Sequence, residues 1–449
     1  MFNPNLVEKF RFVSYEFDEN TFIAKLNYAF DDNYFFTEQI AFNNANTVFD
    51  DEKRKALDLC LKNLHLVAGS SYYKAAIPPK IVIENQEITK ETSDFMQKLY
   101  LNGLGEFAYR NNLDLKEKLI FPYSDKSQAE PSNISLKRRT AVTVGGGKDS
   151  IVTIELLKKK NEDIILFSVG NPKAIKQTVE VSELPHITVT RTLSPVLFEL
   201  NAQGAYNGHV PISGIIAFIL ACSSIIYGFD SVAMSNERSA NVGNLIRDGL
   251  EINHQYSKGL EFETDVSNYF QSHIMKNFNY FSFLRPLSEL GIAKIFSKFE
   301  KYHSVFTSCN AAFKIQQDKR VDRWCLNCDK CRFVFLAIAP FLSKEKMLNI
   351  FGKNLLNDET QIKGFEELIG ISGHKPFECV GEVEECNASF GLLNKQDEWK
   401  DDIMVKIFRE KALPQISNLD EIITKTFNLS DKHRLNTDYF KLLSENSNF

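Results

Sequence analysis

The stretch "AVTVGGGKDSIVTIELLKKK", Ala141–Lys160, carries the pattern that decides the fold. A β-branched, apolar run at Thr140–Val144 predicts a strand, and apolar residues that recur at helical spacing from Ile151 to Leu157 predict a helix. Three glycines therefore lie at a strand-to-helix turn, where free backbone N–H groups and the helix dipole are suited to bind phosphate. A turn without a ligand is the alternative, but Gly-Gly-Gly followed by Lys-Asp-Ser is more than a turn requires.

Two well-known phosphate loops do not fit this spacing. The dinucleotide pattern G-x-G-x-x-G is not matched, and the Walker A pattern needs Ser or Thr where Asp149 follows Lys148. The loop instead resembles that of the ATP pyrophosphatase superfamily, usually written S-G-G-x-D-S, although Gly145 replaces the first serine. The matching residues are Gly146, Gly147, Asp149 and Ser150. This resemblance implies cleavage of ATP between its α and β phosphates and adenylation of a substrate.

Composition and charge narrow the class of protein. The chain has 449 residues, enough for two or three domains with a buried core. Its formal charge of −5 argues against a surface that binds polyanions, so we do not expect nucleic acid as a partner. Eight cysteines, and no charged-then-apolar leader in "MFNPNLVEKF", predict a reducing, cytoplasmic location.

The longest apolar run, Ile212–Phe229, just reaches the length of a membrane span. Serines and glycines interrupt it, however, and the strand-like segment "DSVAMS" follows directly. We therefore predict a buried helix packed on a sheet, and no membrane span.

The pattern changes along the chain. The first part mixes alternating aromatic stretches with two helical segments, Lys53–Leu66 and Ser93–Arg110. A polar, proline-containing stretch, Ser124–Arg139, predicts a linker before β/α alternation begins. The predicted units are an α+β N-terminal domain (1–130), a linker (131–139), an α/β domain (140–345) and a helical C-terminal region (346–449), in which Gly373–Cys386 is a predicted loop.

Alternation of strands and helices in the predicted α/β domain indicates a parallel sheet covered by helices on both faces. Ligands of such sheets bind beyond the carboxyl ends of the strands. The predicted strands are Ala141–Val144, Ile164–Val169, Ile187–Thr190, Ser231–Met234 and Ser304–Thr307.

Four cysteines form a second constellation, spaced C-x15-C-x2-C-x2-C. They are Cys309, Cys325, Cys328 and Cys331. Four thiolates at this spacing can converge on one zinc ion in a closed tetrahedral site. Buried free thiols are an alternative that the surrounding charged residues disfavour, and an iron–sulfur cluster is another.

Polar residues are concentrated after the fourth predicted strand, in Met234–Glu263, where such a sheet exposes its site. Candidates for holding the nucleotide or the substrate are Asn236, Glu237, Arg238 and Ser239. Candidates for catalysis are His254, Lys258 and Glu261, together with Glu237. For each of these residues taken singly, the alternative to a role in the site is a position on a solvated loop or helix surface. His209 precedes the apolar run, and its position has two equal interpretations: a histidine of the core, or a group that faces the same cleft.

Taken in order, seven motifs along most of the chain resemble the ATP-dependent UDP-N-acetylmuramoyl-L-alanyl-L-glutamate epimerase family of peptidoglycan synthesis. They are "GSSYYKAA", "GLGEFAYRN", "VGGGKDS", "SNERSA", "NHQYSKGLEFE", "DRWCLNCDKCRFVFLAIAPF" and "HKPFECVGE". The resemblance implies an adenine nucleotide alpha hydrolase-like (PP-loop) fold and a UDP-linked muramoyl dipeptide substrate. It implies that the terminal L-Glu is converted to D-Glu through an acyl-adenylate, with release of AMP and pyrophosphate.

The same resemblance implies roles for the glycine loop. Asp149 would hold Mg²⁺, and Lys148 with the N–H groups of Gly145, Gly146 and Gly147 would face the phosphates of ATP. Ser150 would cap the helix or donate to phosphate. No catalytic base is carried over from the family.

Two other classes of function use the same loop. One is a superfamily ligase or nucleobase-modifying enzyme, in which ammonia or sulfide attacks the adenylate. The acidic charge balance disfavours a tRNA substrate, and no glutamine-hydrolysing domain is recognisable. The other is a nucleotide-binding module without catalysis, which substrate-dependent consumption of ATP would exclude. The sequence sets no oligomeric state.

Overall fold

The computed structural model describes residues 1–447, except 85, 126–129, 161, 248, 315–316 and 374–375. Within these residues nine strands form one sheet and two more form a small hairpin. In chain order the strands are β1 (Lys9–Asp18), β2 (Ile23–Phe30), β3 (Tyr34–Phe42), β4 (Lys80–Ile83), β5 (Thr140–Thr143), β6 (Ile164–Val169), β7 (His186–Thr192), β8 (Ser231–Met234), β9 (Leu245–Arg247), β10 (Leu250–Ile252) and β11 (Asn279–Ser282).

The helices cover both faces of the large sheet and make up the C-terminal region. They are α1 (Asp51–Ala68), α2 (Ser70–Tyr73), α3 (Lys90–Gly103), α4 (Gly105–Arg110), α5 (Lys148–Lys159), α6 (Lys173–Ser182), α7 (Pro195–Ala202), α8 (Ile212–Tyr227), α9 (Leu260–Tyr269), α10 (Glu289–Phe296), α11 (Asp329–Ile338), α12 (Lys344–Phe351), α13 (Ile362–Leu368), α14 (Val383–Asn394), α15 (Ile403–Ile407), α16 (Leu419–Phe427) and α17 (Thr437–Ser447).

The large sheet has the strand order β11-β8-β5-β6-β7-β3-β2-β1-β4. Its first five strands are parallel, whereas β7, β3, β2 and β1 pair antiparallel and β4 is parallel to β1. The strands of the N-terminal part therefore continue the parallel sheet through the pairing of β3 with β7. The predicted α/β class, with a mostly parallel sheet and a helical C-terminal region, is confirmed.

Four of the five predicted strands of the parallel sheet are confirmed within a few residues, as β5, β6, β7 and β8. The prediction at Ser304–Thr307 is wrong, because this segment is a turn followed by irregular chain. Phe306 is buried because its ring packs against Phe296 and Trp324, and next to it the N–H of Thr307 donates to the carbonyl oxygen of Gly146 at 3.0 Å. The fifth parallel strand is β11, at the edge of the sheet.

The apolar run at Ile212–Phe229 forms the buried helix α8, which packs against α1. It ends at Gly228, whose φ of +73° is the left-handed conformation that favours glycine at a helix end. In the described part of the chain, no helix has both the length and the apolar character of a membrane span.

The predicted linker and the predicted C-terminal loop are described only in part. Residues 126–129 of the linker lie outside the described residues, and further along Ser132 forms an isolated bridge with Met275. In Gly373–Cys386, residues 374–375 lie outside the description, and the loop ends where α14 begins at Val383.

A buried ion pair spans the junction of the two parts of the sheet. The guanidinium of Arg191 on β7 donates to both carboxylate oxygens of Glu38 on β3, at 2.7 and 3.0 Å, and to the hydroxyl of Ser71 at 2.8 Å. The Glu38 side chain is fully buried and that of Arg191 is 10% exposed. Such a bidentate pair fixes the register of the junction.

Replacing Glu38 with glutamine keeps the size of the side chain but leaves the Arg191 cation buried without its counter-charge. We expect Glu38→Gln to lower the free energy of unfolding by about 3 kcal/mol, as is typical when one partner of a buried pair is lost. Urea unfolding followed by circular dichroism measures this. The exposed pair Lys395–Asp420 is the control, since Asp420→Asn is expected to change stability by less than about 1 kcal/mol.

Candidate active site

A cavity of about 1070 Å³ opens beyond the carboxyl ends of β5, β6, β7 and β8. Its wall combines the glycine loop, the residues that follow β8 and two more distant segments of the chain. The polar residues that line it include Asp149, Ser150, Asn236, Glu237, Lys258, Lys330 and Cys379. This is the edge at which a parallel sheet binds its ligands.

The glycine loop leaves room on the side of the cavity. A Cβ atom at Gly145 would meet no atom within 4 Å, whereas one at Gly147 would lie 2.8 Å from the hydroxyl of Ser308. Gly146 has a φ of +78°, which a residue with a side chain adopts only with strain. Gly147 is the N-cap of α5 and supplies no side-chain cap, so the first-turn N–H groups lack that partner.

Lys148 lies behind the loop rather than on the cavity wall. Its buried amine contacts the carboxylate of Glu289 and lies 2.5 Å from Oδ1 of Asp149. Burial raises the pKa of Glu289 to about 7, and the charge of Lys148 opposes this rise. The amine is therefore held by two carboxylates, although the sequence suggested that it would face phosphate. The hydroxyl of Ser150 donates to the carbonyl oxygen of Gly147 at 3.1 Å.

The four candidates after β8 divide into two groups. Asn236 and Glu237 line the cavity, and the amide of Asn236 donates to the hydroxyl of Ser282 at 3.0 Å. Arg238 instead donates to carbonyl oxygens of the C-terminal region, and Ser239 is fully buried. Arg238 therefore connects the strand end to the C-terminal helices and does not reach the cavity wall.

A buried arginine that the sequence analysis did not select fixes this region. Arg285 is fully buried, and its guanidinium contacts the carboxylate of Glu263 at 2.9 Å. It also donates to the carbonyl oxygens of Glu237 at 2.6 Å and Lys258 at 2.5 Å. One side chain thus holds the backbone at two residues of the cavity wall.

Five side chains from distant segments meet beside the cavity, and we call them the Cys379 cluster: Cys379, Lys258, His254, Glu106 and His209. The amine of Lys258 lies 3.1 Å from the sulfur of Cys379. His254 bonds to Cys379 and, through Nδ1, to the carboxylate of Glu106. His209 Nδ1 lies 3.7 Å from the same carboxylate.

The cluster perturbs the protonation of its members. Burial alone would raise the pKa of Cys379, but the charge of Lys258 and the hydrogen bond from His254 lower it to about 6. Burial would lower the pKa of His254, whereas its bonds to Cys379 and Glu106 raise it to about 9. Burial lowers the pKa of His209 to about 4. At neutral pH the cluster therefore holds a thiolate next to a protonated imidazole.

The structure places the three catalytic candidates of this segment differently. His254 lies in a turn and Lys258 ends a short 3₁₀ helix, and both side chains belong to the Cys379 cluster. Glu261 lies apart from the cluster: its side chain is 62% exposed and forms an ion pair with Lys98 at 2.7 Å. The N-terminus of α9 carries Glu261 toward solvent.

The four cysteines of the second constellation converge. The sulfurs of Cys309 and Cys328 are 3.9 Å apart, those of Cys325 and Cys331 are 3.8 Å apart, and all four lie within 4.8 Å of one another. Zn–S bonds of about 2.3 Å in a tetrahedral site give sulfur separations of about 3.8 Å. The arrangement therefore fits one zinc ion.

Several residues of the site could not be found from local sequence. Glu289 pairs with Lys148 across 141 positions, and Glu106 bonds to His254 across 148. The contacts of Cys379 with His254 and Lys258 appear only in the folded chain. No spacing rule joins segments so far apart.

Comparisons with known proteins identify the family. A family model described as the MurL N-terminal domain matches residues 1–283, and one described as the MurL C-terminal domain matches residues 305–422. A protein of Xanthomonas oryzae pv. oryzae is 42% identical over 97% of this chain and 96% of its own. A Micromonospora protein is 41% identical over 98% of both chains, and a Salinispora tropica protein is 43% identical over 88% of this chain and 87% of its own.

All three relatives carry the name UDP-N-acetyl-alpha-D-muramoyl-L-alanyl-L-glutamate epimerase. The identity extends over nearly the whole chain, and the N-terminal family model alone covers more than half of it. The chain therefore belongs to the MurL family.

Proposed function

We propose that this protein is an epimerase that inverts the α-carbon of the terminal L-glutamate of UDP-N-acetylmuramoyl-L-alanyl-L-glutamate, as a step of peptidoglycan precursor synthesis. In this proposal ATP activates the α-carboxylate as an acyl-adenylate, and AMP and pyrophosphate are released. The names of the relatives support the substrate and the reaction. The cavity supports the use of a nucleotide.

Activation answers a chemical problem. Inversion requires removal of the α-proton, and beside an ionised carboxylate the carbanion would carry adjacent negative charge. Adenylation removes the charge of the carboxylate and makes the carbonyl a better electron sink. A side-chain base can then remove the proton at a useful rate, since each 1.36 kcal/mol taken from the activation barrier raises the rate about tenfold.

One observation carries the proposal: the glycine loop and the Cys379 cluster meet in one cavity. Asp149 and Ser150 belong to the loop, while Lys258 and Cys379 belong to the cluster, and all four line the same wall. A nucleotide activated at the loop would thus present its acyl group within the space that the cluster borders. An adenylating ligase would need no thiolate–imidazolium pair there.

The loop suits the phosphates of ATP in the manner of a PP-loop domain. The open space at Gly145 and the first-turn N–H groups of α5 offer a cradle with positive potential. Asp149 reaches the cavity and would hold Mg²⁺, which supplies charge neutralisation to the phosphates when bound. Lys148 acts from behind the loop, where it balances Asp149 and Glu289.

The cysteine site has a structural role in this proposal. Zinc held by Cys309, Cys325, Cys328 and Cys331 would fix the segment that supports the glycine loop. Thr307, two residues before Cys309, donates its N–H to Gly146. The metal would thereby hold the nucleotide loop without taking part in the chemistry.

The reaction itself tests the proposed function. The protein is incubated with ATP, Mg²⁺ and the L,L substrate, and AMP and the chirality of the glutamyl residue are measured. We expect AMP release that depends on substrate, together with the D-glutamyl product. Formation of an amide or thio product, or AMP release without any epimer, would contradict the proposal.

Asp149→Asn tests the use of ATP. The variant keeps the size of the side chain but loses the charge that would hold Mg²⁺, so substrate-dependent AMP release should fall by about 10²-fold or more. A coupled assay for AMP measures this, with Asp420→Asn as the exposed control. AMP release near the wild-type rate would remove Asp149 from the metal site.

Metal analysis tests the zinc site. Purified protein should contain about one zinc per chain, and Cys328→Ser should contain far less, because a closed site needs four ligands. Cys222→Ala, a buried cysteine outside the site, serves as the control. Protein without zinc, with all four thiols freely titratable in the folded state, would contradict the assignment.

In this proposal the proton transfers depend on His254 and Lys258, as members of the Cys379 cluster. Replacing either, as His254→Gln or Lys258→Met, should reduce epimerisation by about 10²-fold or more while adenylation continues. In D₂O the wild type should place deuterium at the glutamyl α-carbon, and the variants should release AMP with little exchange. His433→Gln, outside the cavity, is the control. Wild-type exchange in both variants would restrict these residues to binding or structure.

A further inference from the structure

We propose that the sulfur of Cys379 is the base that removes the glutamyl α-proton, with His254 and Glu106 acting as positioning residues behind it. This inference rests on the proposed function and assigns one of its two proton transfers. It also separates two roles within the Cys379 cluster: a group that touches the substrate, and groups that act through it.

The geometry places the sulfur on the cavity wall, with His254 behind it and Lys258 beside it. His254 has Nδ1 engaged by Glu106 and its other bond directed to Cys379. The amine of Lys258 lies 3.1 Å from the sulfur. Cys379 is partly exposed and lines the cavity. A substrate in the cavity can therefore reach the sulfur, while the imidazole lies behind it.

Protonation points to the same atom. The pKa of His254 is raised to about 9, and proximity to Cys379 raises the pKa of Lys258, so both are cations at neutral pH and have no lone pair to accept a proton. The pKa of Cys379 is lowered to about 6 by these two cations against the effect of burial. Among these three, the sulfur is the group that can act as a base at pH 7.

The loop that carries Cys379 is fixed from several sides. The ring of Phe377 packs on that of Tyr109 at 5.6 Å, and Arg110 lies 5.0 Å from the same ring. Asn244 accepts from the N–H of His254 at 2.9 Å and donates to the carbonyl oxygen of Pro376 at 2.9 Å. Helix α4 thus supports the loop and also supplies Glu106. Such support is what a base with a fixed position requires.

The charged groups around the sulfur come from every element packed against it. They are Lys258, His254 and Lys330, with Glu378 next in the chain and Glu106, His209 and Glu237 one layer further out. Lys258 and His254 adjoin the sulfur directly, and Lys330 contacts the carbonyl oxygen of the same residue and adds its charge. The thiolate is the form that these groups stabilise.

The step balances without any oxidant or reductant. The α C–H bond of the glutamyl-adenylate breaks, the proton forms an S–H bond with Cys379, and the electron pair passes to the carbonyl group as an enolate. Water donates a proton to the opposite face of the α-carbon, and the thiol returns its proton to water. The acyl-adenylate is then hydrolysed to the D-glutamyl product and AMP.

The first test uses Cys379→Ala and Cys379→Ser, with Cys60→Ala, a fully buried cysteine of α1, as the control. We expect both Cys379 variants to keep most of the substrate-dependent AMP release and to lose α-deuterium exchange and epimerisation by about 10²-fold or more. Their product should stay L,L. Cys60→Ala should exchange and epimerise as the wild type does.

The second test reads the thiolate in the wild-type protein and does not depend on activity. Carbamidomethylation of Cys379 by iodoacetamide, followed by peptide mass spectrometry, should rise with a midpoint near pH 6. Glu106→Gln and His254→Gln should move the midpoint upward, toward the value of about 8.5 for an ordinary thiol. ATP with substrate should protect the residue. A wild-type midpoint near that of an ordinary thiol would overturn the inference.

The outcomes separate this inference from the proposed function. Epimerisation and exchange near the wild-type rate in Cys379→Ala overturn the assignment of Cys379 and leave the proposed function intact. If both Cys379 variants lose AMP release as well as exchange, the residue acts in another step and its assignment as the base is overturned. A stable acyl group on Cys379, detected by intact mass, overturns the assignment in the same way. Absence of any epimer from the wild type overturns both proposals.

Discussion

The arrangement of the site depends on one buried cation. Arg285 is fully buried, and its charge is balanced by the carboxylate of Glu263 at 2.9 Å. A buried guanidinium is costly unless its donors are satisfied, and two of them bind the carbonyl oxygens of Glu237 and Lys258. The chain cannot move either segment without leaving donors unpaired. The end of β8 and the Cys379 cluster are therefore held at a fixed distance from each other.

The cluster itself draws on four parts of the chain: helix α4 supplies Glu106, the segment before α8 supplies His209, the segment after β10 supplies His254 and Lys258, and the loop before α14 supplies Cys379. Assembly from distant segments lets burial and charge act together on each group. A thiol surrounded by cations and an imidazole bonded to a carboxylate reach opposite protonation states in one small space. A contiguous motif could not supply this environment, because consecutive side chains along a helix or strand point in different directions and cannot all surround one atom.

The sequence predicted the features that local patterns encode, and it did not predict the contacts between distant segments. The glycine turn, β5 and α5 were predictable because their signals are local: a β-branched run, glycines and a helical repeat. The convergence of four cysteines was predictable from spacing. The segment at 304–307 resembled a strand because a short apolar run has the same sequence pattern whether its residues pack in a sheet or in an irregular segment, as Phe306 does here. Glu289, which contacts Lys148, and the partners of His254 and Arg238 lie far along the chain from these residues, and no local pattern encodes them.

The position of Lys148 has a consequence for how the loop binds anions. A lysine on the cavity wall would attract phosphate directly, but here its amine is shared between Asp149 and Glu289. The positive potential at the loop must then come mainly from backbone N–H groups and the dipole of α5. Backbone donors are fixed by the fold and lose no side-chain entropy on binding, whereas a free lysine does. The segment at 306–309, which bonds to Gly146 and leads into the cysteine site, therefore stabilises the loop conformation on which anion binding depends.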